Sequence, residues 1–407
     1  MRKNSSILRA ALLGPFGYGN LGDAAIQESV IQNIKKRFPE SEIIGLSHNP
    51  RDTELRHGIR AHRADRMGYS KFRNTSRFLR YPYVILVELW LWIRGASIAS
   101  FLDIIIVSGG GQLDDYWGGA WGHPYTLFRW GLLSRLCGAK FYIISVGSGP
   151  IDNELSRFFV RIALRCAHYI SYRDKYSMEY INNIGFNRPA KIYPDLSHCL
   201  NTFEYTCGKK REEIVVGIGP MSYFDPRVWP EKDEKIYHEY IEKLALFCHW
   251  LIKNAYIVLF FPGEAMWDRY STDDLLKFLK TRGIEIQNDY LIDEKVDSVH
   301  DLMLQISRTD IVIASRFHGV LLAHVSKKPV VALSYHEKIT TLMDDMGHSS
   351  LCMDIRTFTV DELIEKFKYV VNRRNAIAEH IDEKENKYKE LLSTQYDEVF
   401  GKLFNKN

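Results

Sequence analysis

The stretch Asp310–Lys338, "DIVIASRFHGVLLAHVSKKPVVALSYHEK", decides the fold. An apolar run from Asp310 to Ala314 leads into a polar turn, a short apolar helical segment beginning at Gly319, and a second apolar run from Pro329 to Leu333. Continuous apolar runs joined by a helix indicate parallel strands, because a strand in a parallel sheet is buried on both faces. The stretch therefore predicts an α/β domain built on a parallel sheet.

The same pattern recurs through most of the chain. Six further apolar runs precede turns and helical patterns: Ile7–Leu13, Glu42–Leu46, Asp103–Val107, Phe141–Val146, Ile214–Ile218 and Ala255–Phe261. The polar segment Asn201–Glu213, "NTFEYTCGKKREE", interrupts the series and marks a domain boundary. We predict two Rossmann-like domains facing a cleft, residues 1–205 and 206–375, and a C-terminal helix over residues 376–407 that packs back on the body.

Composition narrows the class of protein. The 407 residues are 46% hydrophobic and carry a formal net charge of +4, which does not favour a nucleic-acid partner. The six cysteines are scattered without a C-x-x-C pair or the spacing of a zinc site. Ile7–Leu13 ends in glycine instead of a cleavage site, so it is expected to be a first strand, not a signal peptide. We expect a cytoplasmic protein with reduced thiols and no metal.

Charged side chains follow the strand that ends at Ala314. Ser315, Arg316 and His318 reach the strand end, and Gly319 begins the next helix. Helix amides, a guanidinium fork and an imidazole together suit an anion. Lys338, after the neighbouring strand, adds a cation, so the site would suit a ligand with both a carboxylate and a phosphate. In the alternative, Arg316 and His318 only pair with carboxylates across a domain interface.

The opening loop, "GYGNLG" (17–22), matches the dinucleotide pattern G-x-G-x-x-G. Three features argue against a dinucleotide site. Three residues separate the loop from the first strand, and no carboxylate ends the second strand to bind a ribose. The negative charge of Asp23 would also oppose a pyrophosphate at the start of the helix. Two roles remain open. Either Asp23 caps a helix from Ala24 to Arg37, or Asn20, Asp23 and the loop amides hold a polyhydroxylated acceptor.

Several short motifs, in order, resemble those of the polysaccharide pyruvyl transferases. They are "GYGNLGDAAI" (17–26), "IIIVSGGGQLDD" (104–115), "SVGSGP" (145–150), "SYRDKYSMEYINNIG" (171–185), "YPDLSHCL" (193–200), "GIGP" (217–220), "SRFHG" (315–319) and "SYHEK" (334–338). The resemblance implies a two-domain, GT-B-like enzyme that transfers a pyruvyl group from phosphoenolpyruvate to a sugar of a cell-surface polysaccharide or its precursor, forming a ketal. His336-Glu337 stands where the family often has Asp-Pro.

The resemblance assigns the donor to the second domain and the acceptor to the first. Arg316 and Lys338 would clamp the donor, His318 would be general acid or phosphate ligand, and Asp23 would orient or deprotonate the acceptor hydroxyl. The donor set is completed by Ser315, Gly319 and Arg227, and the acceptor set by Gly19, Asn20, Gly22, Gly110, Gly111 and Gln112. We expect no cofactor beyond phosphoenolpyruvate as co-substrate.

Two other functions fit the same fold. A nucleotide-sugar glycosyltransferase would need a base pocket and a ribose-binding carboxylate, and no E-x7-E-like arrangement follows "SRFHG". A non-catalytic carbohydrate-binding protein would not need the three cationic side chains. A dinucleotide oxidoreductase is a more distant alternative, because the opening loop lacks the spacing and the carboxylate that such a site requires.

Residues 60–95 have a distinct composition. Six basic residues, Arg63, Arg66, Lys71, Arg73, Arg77 and Arg80, precede an aromatic-rich apolar run from Tyr81 to Ile93. The run is well short of the roughly 20 residues that span a bilayer. It is expected either to be a core or dimer helix, or to lie at the anionic inner face of a membrane, where a lipid-linked acceptor would be found. The oligomeric state stays open.

Overall fold

The computed structural model describes residues 7–17, 19–66, 77–116, 118–201, 213–283 and 290–404. The chain forms two compact units. The first comprises Met1–Tyr18, Ile26–Leu200 and Glu390–Asn407, and the second Gly19–Ala25 and Asn201–Lys389. The predicted boundary segment Asn201–Glu213 lies outside the described residues except at its two ends.

The first unit is built on a parallel sheet. Its strands are β1 (Arg9–Leu13), β2 (Glu42–Ser47), β3 (Arg60–Arg63), β4 (Ile104–Ser108), β5 (Gly111–Leu113), β6 (Lys140–Ser148), β7 (Tyr169–Tyr172) and β8 (Lys191–Ile192). They lie in the order β3-β2-β1-β4-β6-β7-β8, and β5 pairs with β6. From β1 the chain adds β2 and β3 on one side of the sheet and then β4, β6, β7 and β8 on the other, so the strand order reverses between β1 and β4; this is the doubly wound arrangement.

Helices cover both faces of this sheet. They are α1 (Leu21–Arg37), which begins in the second unit, α2 (Pro50–His57), α3 (Arg77–Phe101), α4 (His123–Cys137), α5 (Glu154–Cys166) and α6 (Lys175–Asn183). Alternate residues of the strands face opposite sides, so Leu13 packs with Trp130 of α4, whereas Leu12 packs with Val30 of α1. This two-sided burial explains the continuous apolar runs in the sequence.

Helix α3 is longer than the sequence suggested. Within it, Tyr83–Phe101 is a 19-residue segment with a mean hydropathy of 1.5, long and apolar enough to cross a membrane. The expectation that this region is too short to span a bilayer is therefore wrong on length, because α3 continues past Ile93 and Arg94 to Phe101, and the whole segment Tyr83–Phe101 stays apolar on average. Residues 67–76, which include Lys71 and Arg73, lie outside the described residues.

The second unit repeats the doubly wound plan. Its strands are β9 (Val215–Gly219), β10 (Ile257–Phe260), β11 (Leu291–Asp293), β12 (Ile311–Ala314), β13 (Val330–Ser334) and β14 (Cys352–Asp354). They are parallel in the order β11-β10-β9-β12-β13-β14, so the reversal lies between β9 and β12. The helices are α7 (Glu234–Lys253), α8 (Asp268–Thr281), α9 (Val299–Ser307), α10 (Phe317–Val325) and α11 (Glu337–Asp345).

The last helix, α12 (Val360–Phe404), contributes to both cores. Its first part buries Leu363 and Phe367 in the second unit. Its last part returns to the first unit, where Tyr396 and Phe400 pack against the sheet face that α1 also covers. The predicted C-terminal helix that packs back on the body is confirmed, and it begins ahead of residue 376.

The predicted fold class is confirmed. All eight predicted apolar runs are strands, within one or two residues at either end. The strands that the sequence did not indicate are short, and most lie towards the sheet edges. β3, "RAHR", shows why, since an edge strand paired on one side needs no continuous apolar run.

Candidate functional site

The candidate site lies in the second unit, at the carboxyl ends of β9 and β12. These two strands are neighbours, and the strand order reverses between them. In open parallel sheets, ligands bind in the crevice outside such a reversal. β12 ends at Ala314, so "SRFHG" begins at the crevice, as the sequence predicted.

Ser315 anchors the segment to the core. It is buried, its amide donates to the carbonyl of Gly219 at 3.1 Å, and its hydroxyl lies 2.9 Å from the Tyr240 hydroxyl. Burial raises the pKa of Tyr240 above its usual value. Ser315 therefore fixes the direction in which Arg316 and His318 leave the strand.

Arg316 binds a buried carboxylate. Its Nε and Nη2 donate to Asp268, with the Nη2–Oδ1 distance 2.6 Å, and Nη2 lies 3.3 Å from Glu264 Oε2. Asp268 also accepts from the amides of Gly263 and Glu264. The alternative that Arg316 pairs with carboxylates is thus realised, but within one unit. Among the residues that the structure describes, its Nη1 has no hydrogen-bond partner.

Glu264 carries a titratable proton at neutral pH. Its side chain is largely buried, and burial raises its pKa to about 7, against the lowering effect of Arg316, with Asp268 and Asp23 adding to the rise. A carboxyl group with this pKa can donate or accept a proton near neutrality. Glu264 was not among the predicted site residues.

His318 lies against the opening loop. A β-carbon on Gly22 would stand 1.9 Å from His318 Nδ1 and 2.1 Å from Cγ, so only glycine fits there. Gly19, with a φ of +82°, accepts a hydrogen bond from the amide of Ala265. Asn20 pairs with Glu264 as an isolated antiparallel bridge. The structure therefore brings four predicted acceptor residues, Gly19, Asn20, Gly22 and Asp23, into the unit that holds "SRFHG".

The predicted capping role of Asp23 is wrong. Helix α1 begins at Leu21, and the side chain of Asn20 accepts hydrogen bonds from the amides of Gly22 at 2.9 Å and Asp23 at 3.2 Å. Asn20 is therefore the N-cap, and Asp23 lies in the first turn. Its carboxylate raises the pKa of Glu264, which indicates proximity of the two acids.

Lys338 lies beside the segment, as predicted from the parallel adjacency of β12 and β13. Its Nζ is 6.0 Å from the ring centre of Phe317 and 5.5 Å from that of Tyr335. His336 caps α11 by accepting from the Lys338 amide. The Lys338 ammonium therefore lies over two aromatic rings beside the start of α10.

Arg227 lies in a separate network of its own. It forms ion pairs with Asp225 at 2.7 Å and Asp274 at 2.6 Å, and its guanidinium stacks over Tyr270. Its Nη2 also donates to the hydroxyl of Tyr237. Two carboxylates thus compensate its charge, and its predicted donor role stays a prediction.

Gly110, Gly111 and Gln112 belong to the first unit, at the end of β4 and in β5. Gln112 is buried, donates to the carbonyl of Ser108, and lies 3.1 Å from His123 Nε2. Burial, with a smaller effect of His48, lowers the pKa of His123 to about 3. Gln112 therefore holds a neutral imidazole, and the acceptor role predicted for these residues stays a prediction.

The sequence reasoning missed Glu264 and Asp268. Both follow the predicted run Ala255–Phe261, in "FFPGEAMWD" (260–268), and Glu264 comes three residues after its end. Their position after a parallel strand was the available signal, since all such strands end at one edge of the sheet.

The sequence is similar to a known protein family and to a biosynthesis protein. The sequence model described as "Polysaccharide pyruvyl transferase" matches residues 20–337. The amylovoran biosynthesis protein AmsJ of Erwinia amylovora is 19% identical over 413 residues, covering 92% of this chain and 94% of that protein.

Solved structures share the fold. UDP-GlcNAc 2-epimerase from Neisseria meningitidis, bound to UDP-GlcNAc, aligns with a TM-score of 0.60 at 12% identity, covering 97% of this chain and 99% of that one. Anabaena Alr3699/HepE in complex with UDP gives a TM-score of 0.56 at 13% identity, covering 98% and 100%. At such identities the likeness shows the two-domain fold alone.

Proposed function

Because the chain belongs to the polysaccharide pyruvyl transferase family, we propose that it transfers the pyruvyl group of phosphoenolpyruvate to a sugar of a cell-surface polysaccharide or its precursor, forming a ketal. The observation that carries the proposal is that Arg316 stands at the N-cap of α10 and that Lys338 Nζ lies 6.0 Å from the ring centre of Phe317, the first residue of that helix. Cations and helix amides at one point suit a small ligand with several negative charges.

Arg316 and Lys338 bind the two anionic groups of the donor. Asp268 fixes the guanidinium plane through two of its nitrogens, which leaves Nη1 for a donor oxygen. Lys338 acts as a mobile point charge on a flexible stem. Gly319 lies in the first turn of α10, where its backbone can approach the donor closely.

The addition step needs a proton at C3 of phosphoenolpyruvate. As a sugar hydroxyl oxygen bonds to C2, the C2–C3 double bond takes a proton at C3, and the hydroxyl gives up its own proton. Two groups in the site can supply the first proton, Glu264 or His318, and the pKa of about 7 favours Glu264. His318 then serves as a phosphate ligand.

The ketal forms in a second step. The C2–O bond to phosphate breaks, the phosphate leaves with both bonding electrons, and the resulting oxocarbenium carbon is captured by a second sugar hydroxyl, which loses its proton. Arg316 and Lys338 stabilise the departing phosphate. We assign the proton of the second hydroxyl to Asp23, whose carboxylate lies in the first turn of α1, near Glu264.

A nucleotide-sugar glycosyltransferase is the second candidate. Its support is the fold, which solved proteins in complex with UDP or UDP-GlcNAc also have. That candidate predicts binding of a sugar nucleotide in place of phosphoenolpyruvate. Whichever function holds, we propose a cytoplasmic protein that needs no metal.

The test is transfer itself. Purified protein is incubated with phosphoenolpyruvate and a panel of pyranosides and lipid-linked saccharides, and phosphate release is measured together with the product mass. We expect phosphate release that depends on an acceptor, with a pyruvyl ketal in the product. The His318→Ala protein, shown to be folded by circular dichroism, should lose most turnover. Glycosyl transfer from a sugar nucleotide under the same conditions would contradict the proposal.

A further inference from the structure

Helix α3 has an exposed apolar side. Ile85, Leu86, Leu89, Trp90 and Ile93 are each between 50 and 65% exposed. Their spacing of three and four residues places them on one side of the helix, and we call this set the α3 apolar face. Exposed apolar patches of this kind are rare on monomers and mark binding surfaces.

The opposite side of α3 is docked on the first unit. Leu91 and Ala99 are buried, and Gly95 lies so close to α4 that a β-carbon would stand 2.6 Å from Leu133 Cδ1. Trp92 Nε1 donates to the Tyr125 hydroxyl at 3.1 Å. The helix is therefore held along one side while the other faces outward, so the core position expected as one alternative is wrong for the α3 apolar face.

The single acid of α3 is turned onto the body. Glu88 pairs with Arg66 and accepts a hydrogen bond from the Tyr125 hydroxyl at 2.5 Å. Arg66 in turn stacks over the rings of Trp121 and Tyr125, at 4.6 and 4.5 Å. These contacts leave the exposed side of α3 without a carboxylate.

The charges left on α3 are positive. The helix begins at Arg77 and contains Arg80 in its first turn, and Arg94 stacks over Trp90 at 5.2 Å. In sequence, no Asp or Glu occurs between Arg66 and Glu88. An apolar face with aromatic side chains, flanked by arginines and free of acids, complements an anionic bilayer surface.

We propose that the α3 apolar face binds the surface of a bilayer that contains anionic lipids, with the helix lying in the interface plane. The apolar side chains enter the acyl boundary, and the positive charge of the α3 sequence attracts the anionic headgroups. This binding does not depend on the donor or on the reaction chemistry. It would bring the candidate site to a membrane that carries lipid-linked saccharides.

Two other occupants fit less well. Helix-to-helix pairing with a second copy would bring the basic first turn against itself or against Ala96–Phe101, and neither segment contains an acid to complement it. Spanning the bilayer would break the packing of Leu91, Gly95 and Ala99 on the body and the bonds of Glu88 and Trp92. A bilayer surface keeps these contacts and also complements the positive charges of α3.

The test is co-sedimentation of the full-length protein with vesicles of phosphatidylcholine alone or mixed with phosphatidylglycerol. We expect binding to the mixed vesicles that weakens with salt. Each of Arg77→Gln and Arg80→Gln should lower the partition coefficient about fivefold, as one lost surface charge does. The double variant Leu89→Glu, Ile93→Glu should abolish binding, whereas Leu55→Glu, at an exposed leucine of α2, should leave it unchanged.

Three outcomes would overturn the proposal. The first is no binding to mixed vesicles at low salt. The second is a dimer in analytical ultracentrifugation that Leu89→Glu, Ile93→Glu converts to monomer without any vesicle binding. The third is protein that stays with cell membranes after extraction with alkaline carbonate, which would indicate a spanning helix. Because no step uses phosphoenolpyruvate, failure here and failure of the proposed reaction are distinguishable.

Discussion

The imidazole of His318 lies directly against the α-carbon of Gly22, and a β-carbon at residue 22 would stand 1.9 Å from its Nδ1. This contact joins the opening loop to the segment after β12. It explains the third glycine of "GYGNLG" without a dinucleotide, because the side chain that approaches the backbone here is an imidazole.

Gly22→Ala should displace the imidazole. The new methyl group cannot share its space with the ring, so we expect a destabilisation of about 1–3 kcal/mol and a loss of turnover of tenfold or more. Urea unfolding and the transfer assay measure both. In a His318→Ala background, Gly22→Ala should cost much less, because the space is then vacant. Gly401→Ala, in open space on α12, is the control: it should leave turnover unchanged and should not lower the free energy of unfolding, because alanine is the better helix former. Equal cost in both backgrounds would contradict the contact.

Asp268→Asn should destabilise the protein strongly. Asp268 is fully buried and holds Arg316 at 2.6 Å, so the substitution removes the nearer of the two carboxylates that pair with this guanidinium. We expect a loss of about 3–5 kcal/mol in the free energy of unfolding. Asp273→Asn, which breaks an exposed ion pair with Arg269, should cost less than about 1 kcal/mol. Comparable losses for the two variants would refute the special role of Asp268.

Glu264 should make stability fall as the pH rises. Its pKa is raised from 4.5 to about 7, so the folded state binds more protons than the unfolded state between these values. Between pH 5 and pH 8, the wild type should lose about 2 kcal/mol of unfolding free energy relative to Glu264→Gln.

Glu264 should also determine how the turnover rate depends on pH. If Glu264 supplies the proton to C3, kcat falls above pH 7 in the wild type, Glu264→Gln loses activity at every pH, and Glu264→Asp retains part of it. If Glu264→Gln kept the wild-type pH profile, Glu264 could not be the acid, and His318 would be the remaining proton donor.

His348 should make the protein sensitive to acid. Burial, with His380 and Lys384 adding to it, lowers the pKa of His348 from 6.5 to about 4. The unfolded state therefore binds more protons between these values, and stability falls as the pH falls through this window. From pH 7 to pH 5, the wild type should lose about 2 kcal/mol more than His348→Gln. His238→Gln, at an exposed position of α7, serves as control, and equal pH dependence in all three proteins would argue against the effect.

The buried strands made the fold predictable from the sequence, and a single segment pointed to the candidate site. The eight apolar runs were visible because parallel strands are apolar on both faces, and "SRFHG" was visible because charged residues stood at the end of such a run. Asn20 as the helix cap was not visible, since Asn20 and Asp23 are both good N-cap residues and only geometry decides between them.

The features that the sequence did not predict depend on tertiary contacts. The compensation of Arg227 by Asp225 and Asp274 joins a loop to α8, almost fifty residues away in sequence. The raised pKa of Glu264 depends on burial and on carboxylates from α1 and α8. The exposure of the α3 apolar face depends on which side of an almost wholly apolar helix packs on α4. No local pattern encodes such relationships.

The most direct test of the donor site is thermal stabilisation of the purified protein by phosphoenolpyruvate, compared with UDP-sugars and NAD. Binding at a hundredfold excess over Kd stabilises the native state by about 2.7 kcal/mol, which raises Tm by several degrees. We predict this rise with phosphoenolpyruvate alone, and its loss in folded Arg316→Ala and Lys338→Ala proteins. A rise with a UDP-sugar alone, or one with phosphoenolpyruvate that survives both substitutions, would contradict the assignment of the donor to "SRFHG" and Lys338.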